Sequence, residues 1–312
     1  MNARDHRAPR RARSIAEFAE RMARFISPAG LAYARAFRPR PDDVIIATYP
    51  KAGTTWMQQI VHGLRTGGDM DFAEISAVVP WIELAHDMGI DLEAPQKAAP
   101  RAFKTHWNGE QMPHEGRYIV VVRDPRDTMV SFYRFMEGWF LEPGAVSADD
   151  FAAYLIARDH PAGSYWQHLK SWLARRLDDN VLMLAFEDLL ADLERQVRRV
   201  ARFIGVTDEA TIALATRQAR FDFMKAHERQ FDDHLTAGAR NAACGLPAAA
   251  LSSKVRTGRS GGHAGTLGPA IRARLDAIWQ SEIATPLGFA DYAALRRALA
   301  AGTQEADRRP QP

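Results

Sequence analysis

Cysteine is almost missing from this chain: Cys244 is the only one in 312 residues. A single thiol can form neither an intrachain disulfide nor a cysteine-built zinc site, and its scarcity fits a reducing compartment. Long apolar runs are missing as well. Nowhere do about 18 apolar residues follow one another, so no membrane span is expected. Nor is there an excess of one charge. Forty-one Lys and Arg against 38 Asp and Glu leave +3, too little for a surface that coats nucleic acid, so an anion site must be local. The ten histidines show no carboxylate partner at a metal-ligand spacing, and no metal is expected. The opening stretch carries Arg4, Arg7, Arg10, Arg11 and Arg13, in the manner of a twin-arginine export signal. Glu17, Glu20, Arg21 and Arg24 interrupt the place where the apolar core of such a signal belongs. The expectation is an unexported, cytoplasmic protein with a basic, partly flexible segment over 1–35, one domain over 36–300 and a solvated tail over 301–312.

What is present is an alternation of short apolar runs and amphipathic stretches. DVIIATY (43–49) is too short for a helix and rich in β-branched residues, which reads as a buried parallel strand. Met57, Ile60, Val61 and Leu64 then stripe a helix over about 54–65. Residues 118–122 and 181–186 read as further strands, and 101–106 as a shorter one. Pro125 suits the first turn of a helix reaching to about 137. Leu193, Val197, Val200, Ala201 and Ile204 stripe another helix that Gly205 is placed to end. Such an order predicts an α/β fold: a P-loop-like open parallel sheet with helices on both faces, in a single domain, with ligands beyond the carboxyl ends of the strands. The Gly-, Ala- and Ser-rich stretch 237–268 is expected to be a long loop, open to ordering around a ligand.

The chemistry concentrates in YPKAGTTW (49–56). At a strand-to-helix turn the first helical N–H groups are unpaired and carry partial positive charge, so an anion is welcome there. Gly53 lets the backbone approach, Lys51 adds a full charge, and Thr54 and Thr55 add hydroxyls. A nucleoside triphosphate hydrolase would instead read Gly-x-x-x-x-Gly-Lys-Ser/Thr, with a later strand ending in a magnesium-binding aspartate. Here the lysine precedes the glycine, and the later strand YIVVVRD ends first in Arg123, which suggests a second phosphate contact.

With these residues in view, the octapeptide 49–56 resembles the YPKSGTTW loop of the cytosolic-type sulfotransferases, which use 3′-phosphoadenosine 5′-phosphosulfate. FKTH (103–106) resembles a second family segment, and VVRDPRDTMVSFYRF a third, in which an arginine and a serine eight residues later bind the 3′-phosphate. Those map to Arg123 and Ser131. Weaker likenesses in VPWIE (79–83), SYWQHLKSW (164–172), FED (186–188) and RTGRSGG (256–262) extend the resemblance from about 40 to about 290. It implies that Lys51, Ala52, Gly53, Thr54, Thr55 and Trp56 cradle the donor nucleotide, with Trp56 and Phe186 beside the adenine. Arg256, Thr257 and Gly258 would complete the phosphate site. Lys51 and Lys104 would be catalytic cations, and His106 the general base, since an imidazole of pKa about 6.5 accepts a proton at neutral pH. His168 has a family counterpart too, but its expected role is packing beneath the site.

The chain also departs from the family pattern. Thr257 stands where the family has lysine, Gly261-Gly262-His263 where it has Gly-Asp-Trp, Ala52 where it has serine, Phe186 where tyrosine is frequent, and Ala219-Arg220-Phe221 where it has Thr-Ser-Phe. Each change removes a charge or a hydrogen-bond donor from donor recognition. Trp81, Trp107, Phe135, Trp139 and Phe140 are candidates to line the pocket of a small-molecule acceptor, a hydrophobic alcohol or phenol, and equally ordinary core residues. Three functions stay open: sulfuryl transfer to a small-molecule hydroxyl or amine, a nucleotide-dependent kinase or NTPase, and a silent adenosine-bisphosphate binder.

Overall fold

A computed structural model describes residues 8–157 and 163–306. Four short parallel strands carry the architecture: β1 (Val44–Thr48), β2 (Ala102–Thr105), β3 (Arg117–Val122) and β4 (Val181–Ala185), in the order β2-β1-β3-β4. β1 lies between Ala102–Thr105 and Arg117–Val121, with Ile46 level with both Lys104 and Ile119. Successive side chains point to opposite faces, which divides the interior into two cores. Val44 and Ile46 of β1 and Ile119 and Val121 of β3 face one, while Ile45, Ala47, Tyr118 and Val120 face the other. This explains why the strand sequences are continuously apolar: both faces are covered.

The first core is closed by α3 (Thr54–Thr66) and α6 (Leu193–Ile204), whose predicted stripes, Met57, Ile60, Val61 and Leu64 on one and Val197, Val200, Ala201 and Ile204 on the other, are buried, with predicted Leu193 partly buried beside them. Gly205 ends α6 at φ 82°, as its position predicts. The second core is closed by α4 (Pro125–Trp139), which has its proline in the first turn, and by α5 (Tyr165–Ala174).

The basic opening segment contributes to this second core from Ala12 onward. Ser14 accepts from the Glu17 N–H and starts α1 (Ile15–Met22), and Ser27 caps α2 (Pro28–Ala36). Phe18 is fully buried against Phe140 and Phe151, a burial worth about 2 kcal/mol. At the other end a helix over Tyr292–Ala306 runs past residue 300. The stretch 237–268 is less irregular than its composition predicts. Helix His234–Arg240 covers its first residues and a 3-10 turn its Gly262–Gly265 portion. Buried Asn241 organises what lies between: its Nδ2 donates to the carbonyls of Pro247, Ala248 and Ala250 and its Oδ1 accepts from Trp139 Nε1. Composition cannot reveal one amide satisfying three carbonyls.

Candidate functional site

The carboxyl ends of β1, β2 and β3 open into a cavity of about 780 Å³. Every predicted site residue except Ala52 lines it. Ala52 is fully buried and its N–H is used by the Tyr49 carbonyl, so it packs under the turn instead of facing a ligand. His168, expected to pack, is buried beside Tyr49 and Trp172.

The phosphate turn between β1 and α3 is built by unusual backbone. Lys51 adopts φ 71°, a region that costs an L-residue with a Cβ about 1 kcal/mol, and its ammonium sits 3.8 Å from the centroid of the Phe135 ring. Gly53 is at φ 113°, and a Cβ there would lie 3.0 Å from the Phe186 ring, so the turn needs glycine for both conformation and space. No side chain caps α3, which leaves its amino end to an anion. The Thr54 hydroxyl shares a 2.5 Å hydrogen bond with that of Thr48, which holds the turn to the end of β1. Thr55 is more open.

Arg123 follows β3 directly. Its guanidinium stacks 4.2 Å from the Phe186 ring and donates to the carbonyls of Lys51 and Arg259, while Nε is buried without a partner. Burial pushes its pKa down, with Asp127 and Glu187 opposing. Ser131, two turns into α4, lines the same end. The rim is formed by Arg256, Thr257 and Gly258. Asp127 of α4 anchors this loop, accepting from the Ser260 hydroxyl, the Gly261 N–H (2.6 Å), the His263 N–H (3.2 Å) and His263 Nδ1 (2.8 Å). The altered Gly-Gly-His therefore has its own fastening to α4. Trp56 meets Phe186 edge to face at 5.4 Å and donates to the Ala219 carbonyl at 2.7 Å. The departure at 219 thus keeps a backbone role.

The deeper part of the cavity holds the reactive groups. Lys104, at the end of β2, projects its ammonium to 4.5 Å from the Trp81 ring centroid. Burial, reinforced by Lys254, pushes both Lys51 and Lys104 down to about 7, with Asp233 opposing. His106 stands edge-on to Trp81 at 4.8 Å, and its Nδ1 is 2.7 Å from the Thr48 carbonyl. A carbonyl only accepts, so Nδ1 carries the hydrogen and Nε2 of the neutral ring is the proton acceptor. Burial and the Lys104 charge push His106 down to about 3, which keeps the ring neutral at physiological pH.

Beyond His106 the walls become apolar. Trp81, Trp107, Phe135, Trp139 and Phe140 are joined by Phe132 and Met136 of α4 and by Ala19, Met22, Phe25 and Ile26 from the opening segment. Sequence reasoning missed this last group, although Ser14 with Glu17 and the spacing of Ile15, Phe18, Met22 and Phe25 form an N-cap and helical stripe. It also missed Glu83, Asp233 and Lys254, which line the cavity. Glu83 accepts from the His106 backbone N–H at 2.7 Å.

The profile of the Sulfotransferase domain family matches residues 41–286. Human Sulfotransferase 1C2 is 28% identical over 203 residues, 61% of this chain and 68% of that protein. Dog Sulfotransferase 1B1 is 31% identical over the same shares of each chain. Among solved structures, mouse sulfotransferase SULT7A1 complexed with PAP superposes with a TM-score of 0.64 at 21% identity, over 90% of this chain and 95% of that one. Retinol dehydratase in a complex with retinol and PAP gives 0.67 at 19% identity, over 88% and 96%. With its parallel sheet, lysine-bearing turn and deep histidine, this chain belongs to the sulfotransferase domain family and is a sulfotransferase.

Proposed function

We propose that the chain transfers a sulfuryl group from 3′-phosphoadenosine 5′-phosphosulfate to a hydroxyl or amine of a small-molecule acceptor, with His106 as general base. The observation that carries this reading is the convergence of Lys51, Lys104 and His106 on one cavity whose far end is apolar. The residues fit a doubly phosphorylated adenylate. Gly53 leaves room where a Cβ would collide, Arg123 has an unpartnered buried Nε, and half-buried Lys51 of the turn and buried Lys104 at the end of β2 line the same cavity. Lys51, Thr54, Thr55 and the Gly53 backbone would hold the 5′-phosphate end, Arg123, Ser131, Arg256, Thr257 and Gly258 the 3′-phosphate, and Trp56 and Phe186 the adenine. PAP bound to the mouse sulfotransferase and to retinol dehydratase supports the same nucleotide here.

The donor, when bound, supplies an activated sulfuryl group and a phosphate leaving group. His106 Nε2 takes the acceptor's proton as the acceptor heteroatom bonds to sulfur and the bond from sulfur to the bridging oxygen breaks. Lys51 and Lys104 lie where negative charge builds on the leaving phosphate, in a cavity whose low polarity strengthens their effect. Transfer of this kind needs alignment and charge stabilisation, and the reading includes no metal. The apolar far end suits a hydrophobic alcohol or phenol. Androsterone and retinol in the retinol dehydratase complexes support an acceptor of that character. One domain over 36–300 and a cytoplasmic location belong to the same reading, supported by a family match over 41–286 and by the lack, among the described residues, of any helix long and apolar enough to cross a membrane.

Thermal unfolding with added ligands tests the donor assignment. PAP should raise the midpoint while magnesium-ATP should not; the reverse result would favour the kinase or NTPase reading. Radiolabelled sulfate transfer to a panel of phenols, alcohols, sterols and amines then separates an enzyme from a silent binder.

A further inference from the structure

One buried ion pair in the cavity has no part in the mechanism above. Lys254 and Asp233 contact each other through Nζ and Oδ1, the lysine side chain 10% and the aspartate 4% exposed. Both line the cavity that holds Lys51, Lys104 and His106. Asp233 occupies the N-cap position of helix His234–Arg240, where an aspartate ordinarily accepts from the first turn of its own helix. It makes no such bond. Glu74 does that work from another segment, accepting from the Leu235 N–H at 2.6 Å and the Thr236 hydroxyl at 3.2 Å. The carboxylate of Asp233 is thereby left to the cavity.

The geometry points to Lys254 as a further donor-binding cation at the reaction centre, and to Asp233 as the counter-ion that this cluster of cations uses before the donor arrives. The inference rests on the nucleotide reading above and extends it to two residues. Lys254 is two residues before Arg256, in the segment where Thr257 brings no charge. Its position near the reactive groups is independent of that rim: its charge bears on Lys51, Lys104 and His106 together. Sharing the cavity with Lys51, Lys104 and His106 and paired to Asp233, this cation is placed to reach the sulfuryl group and leaving phosphate.

The charged groups around Lys51 are Lys254, Asp233, Arg123 and Arg256, and those around Lys104 are Lys254, Asp233, Glu74 and Glu83. Burial raises Glu74 and Glu83 above the ordinary carboxylate range, whereas Asp233 is held below it because Lys254, Lys104 and Lys51 outweigh its burial. Asp233 is the carboxylate that bears on both Lys51 and Lys104. An arriving sulfuryl group and phosphate can take over its role, freeing Lys254 to turn from the carboxylate to the donor.

The test compares PAP, which lacks the sulfuryl group, with the complete donor by calorimetric titration of the full chain between about pH 6 and about pH 9. Lys254→Met should weaken donor binding about tenfold and PAP binding less than about threefold. Lys254→Arg, which keeps the charge, should retain most of the preference. Asp233→Asn should move the pH above which either nucleotide binds weakly down by about one unit, because the lysines lose their counter-ion. Removing one member of a buried pair can prevent folding. The double variant Asp233→Asn/Lys254→Met leaves neither member of the ion pair without its partner and should show the same donor-selective loss. Equal effects of Lys254→Met on PAP and donor, or no effect of Asp233→Asn on the pH limb, overturn the inference while nucleotide binding by the unaltered protein stands. Failure of the unaltered protein to bind either nucleotide overturns the donor reading itself.

Discussion

The two ends of the cavity are made in opposite ways. At the donor end each cation stands at or just beyond a strand end and is fixed by a particular contact: Lys51 by its left-handed backbone and Phe135, Lys104 by the end of β2 and Trp81, Arg123 by the Lys51 carbonyl and Phe186. At the acceptor end the walls come from α1, α2, α4 and Tyr154, segments far apart in sequence that share only apolar character. Recognition of a charged nucleotide needs particular groups at particular distances, so it leaves a compact signature. A hydrophobic chamber needs only volume and shape, which many residue combinations satisfy.

This contrast can be broken most decisively at the boundary between the two ends. His106→Ala should lower kcat by about 10²- to 10⁴-fold while PAP affinity, measured by thermal shift, changes little. Full turnover by that variant would remove His106 from the reaction. At the donor end, Lys51→Ala or Arg123→Ala should weaken PAP by about ten- to a hundredfold, the range of a lost charge-assisted hydrogen bond; calorimetry checks it, and unchanged affinity would undo the phosphate assignments. The same end should respond to pH. Lys51 and Lys104 of the free protein lose their protons near 7, while bound anions favour the charged forms. PAP affinity should therefore be full below that value and fall as pH rises through it, with proton uptake on binding seen as a buffer-dependent calorimetric heat. The smallest effect belongs to the acceptor end: Met22→Ala should change acceptor KM by about tenfold or less and leave PAP affinity unaltered. A large loss of PAP binding in that variant would contradict the division of the cavity.

Legibility followed the same line. The four strands, α3, α4 and α6 were readable because a parallel sheet buried on both faces demands short apolar runs, and the helices beside it demand stripes. The glycine turn and Arg123 were readable because they stand at strand ends, whereas Lys104 and His106 were read from the family likeness of FKTH. Ala52 was misplaced because adjacency to Lys51 and Gly53 says nothing of which way a turn residue points. Asp233 and Lys254 escaped notice because 21 residues separate them and neither belongs to a local pattern. The opening segment looked flexible because its arginines dominate its composition, although Ser14, Phe18 and Phe25 carry the signal of packed helices.

That opening segment also bears on where the protein can be cut. The stretch that carries the family likeness begins at residue 41, beyond both α1 and α2, so a recombinant fragment trimmed to it would retain the nucleotide cradle and lose Met22, Phe25 and Ile26. Water would then flood the compartment meant for the acceptor, and a preparation that captures PAP on a column could still be inert toward every alcohol offered to it.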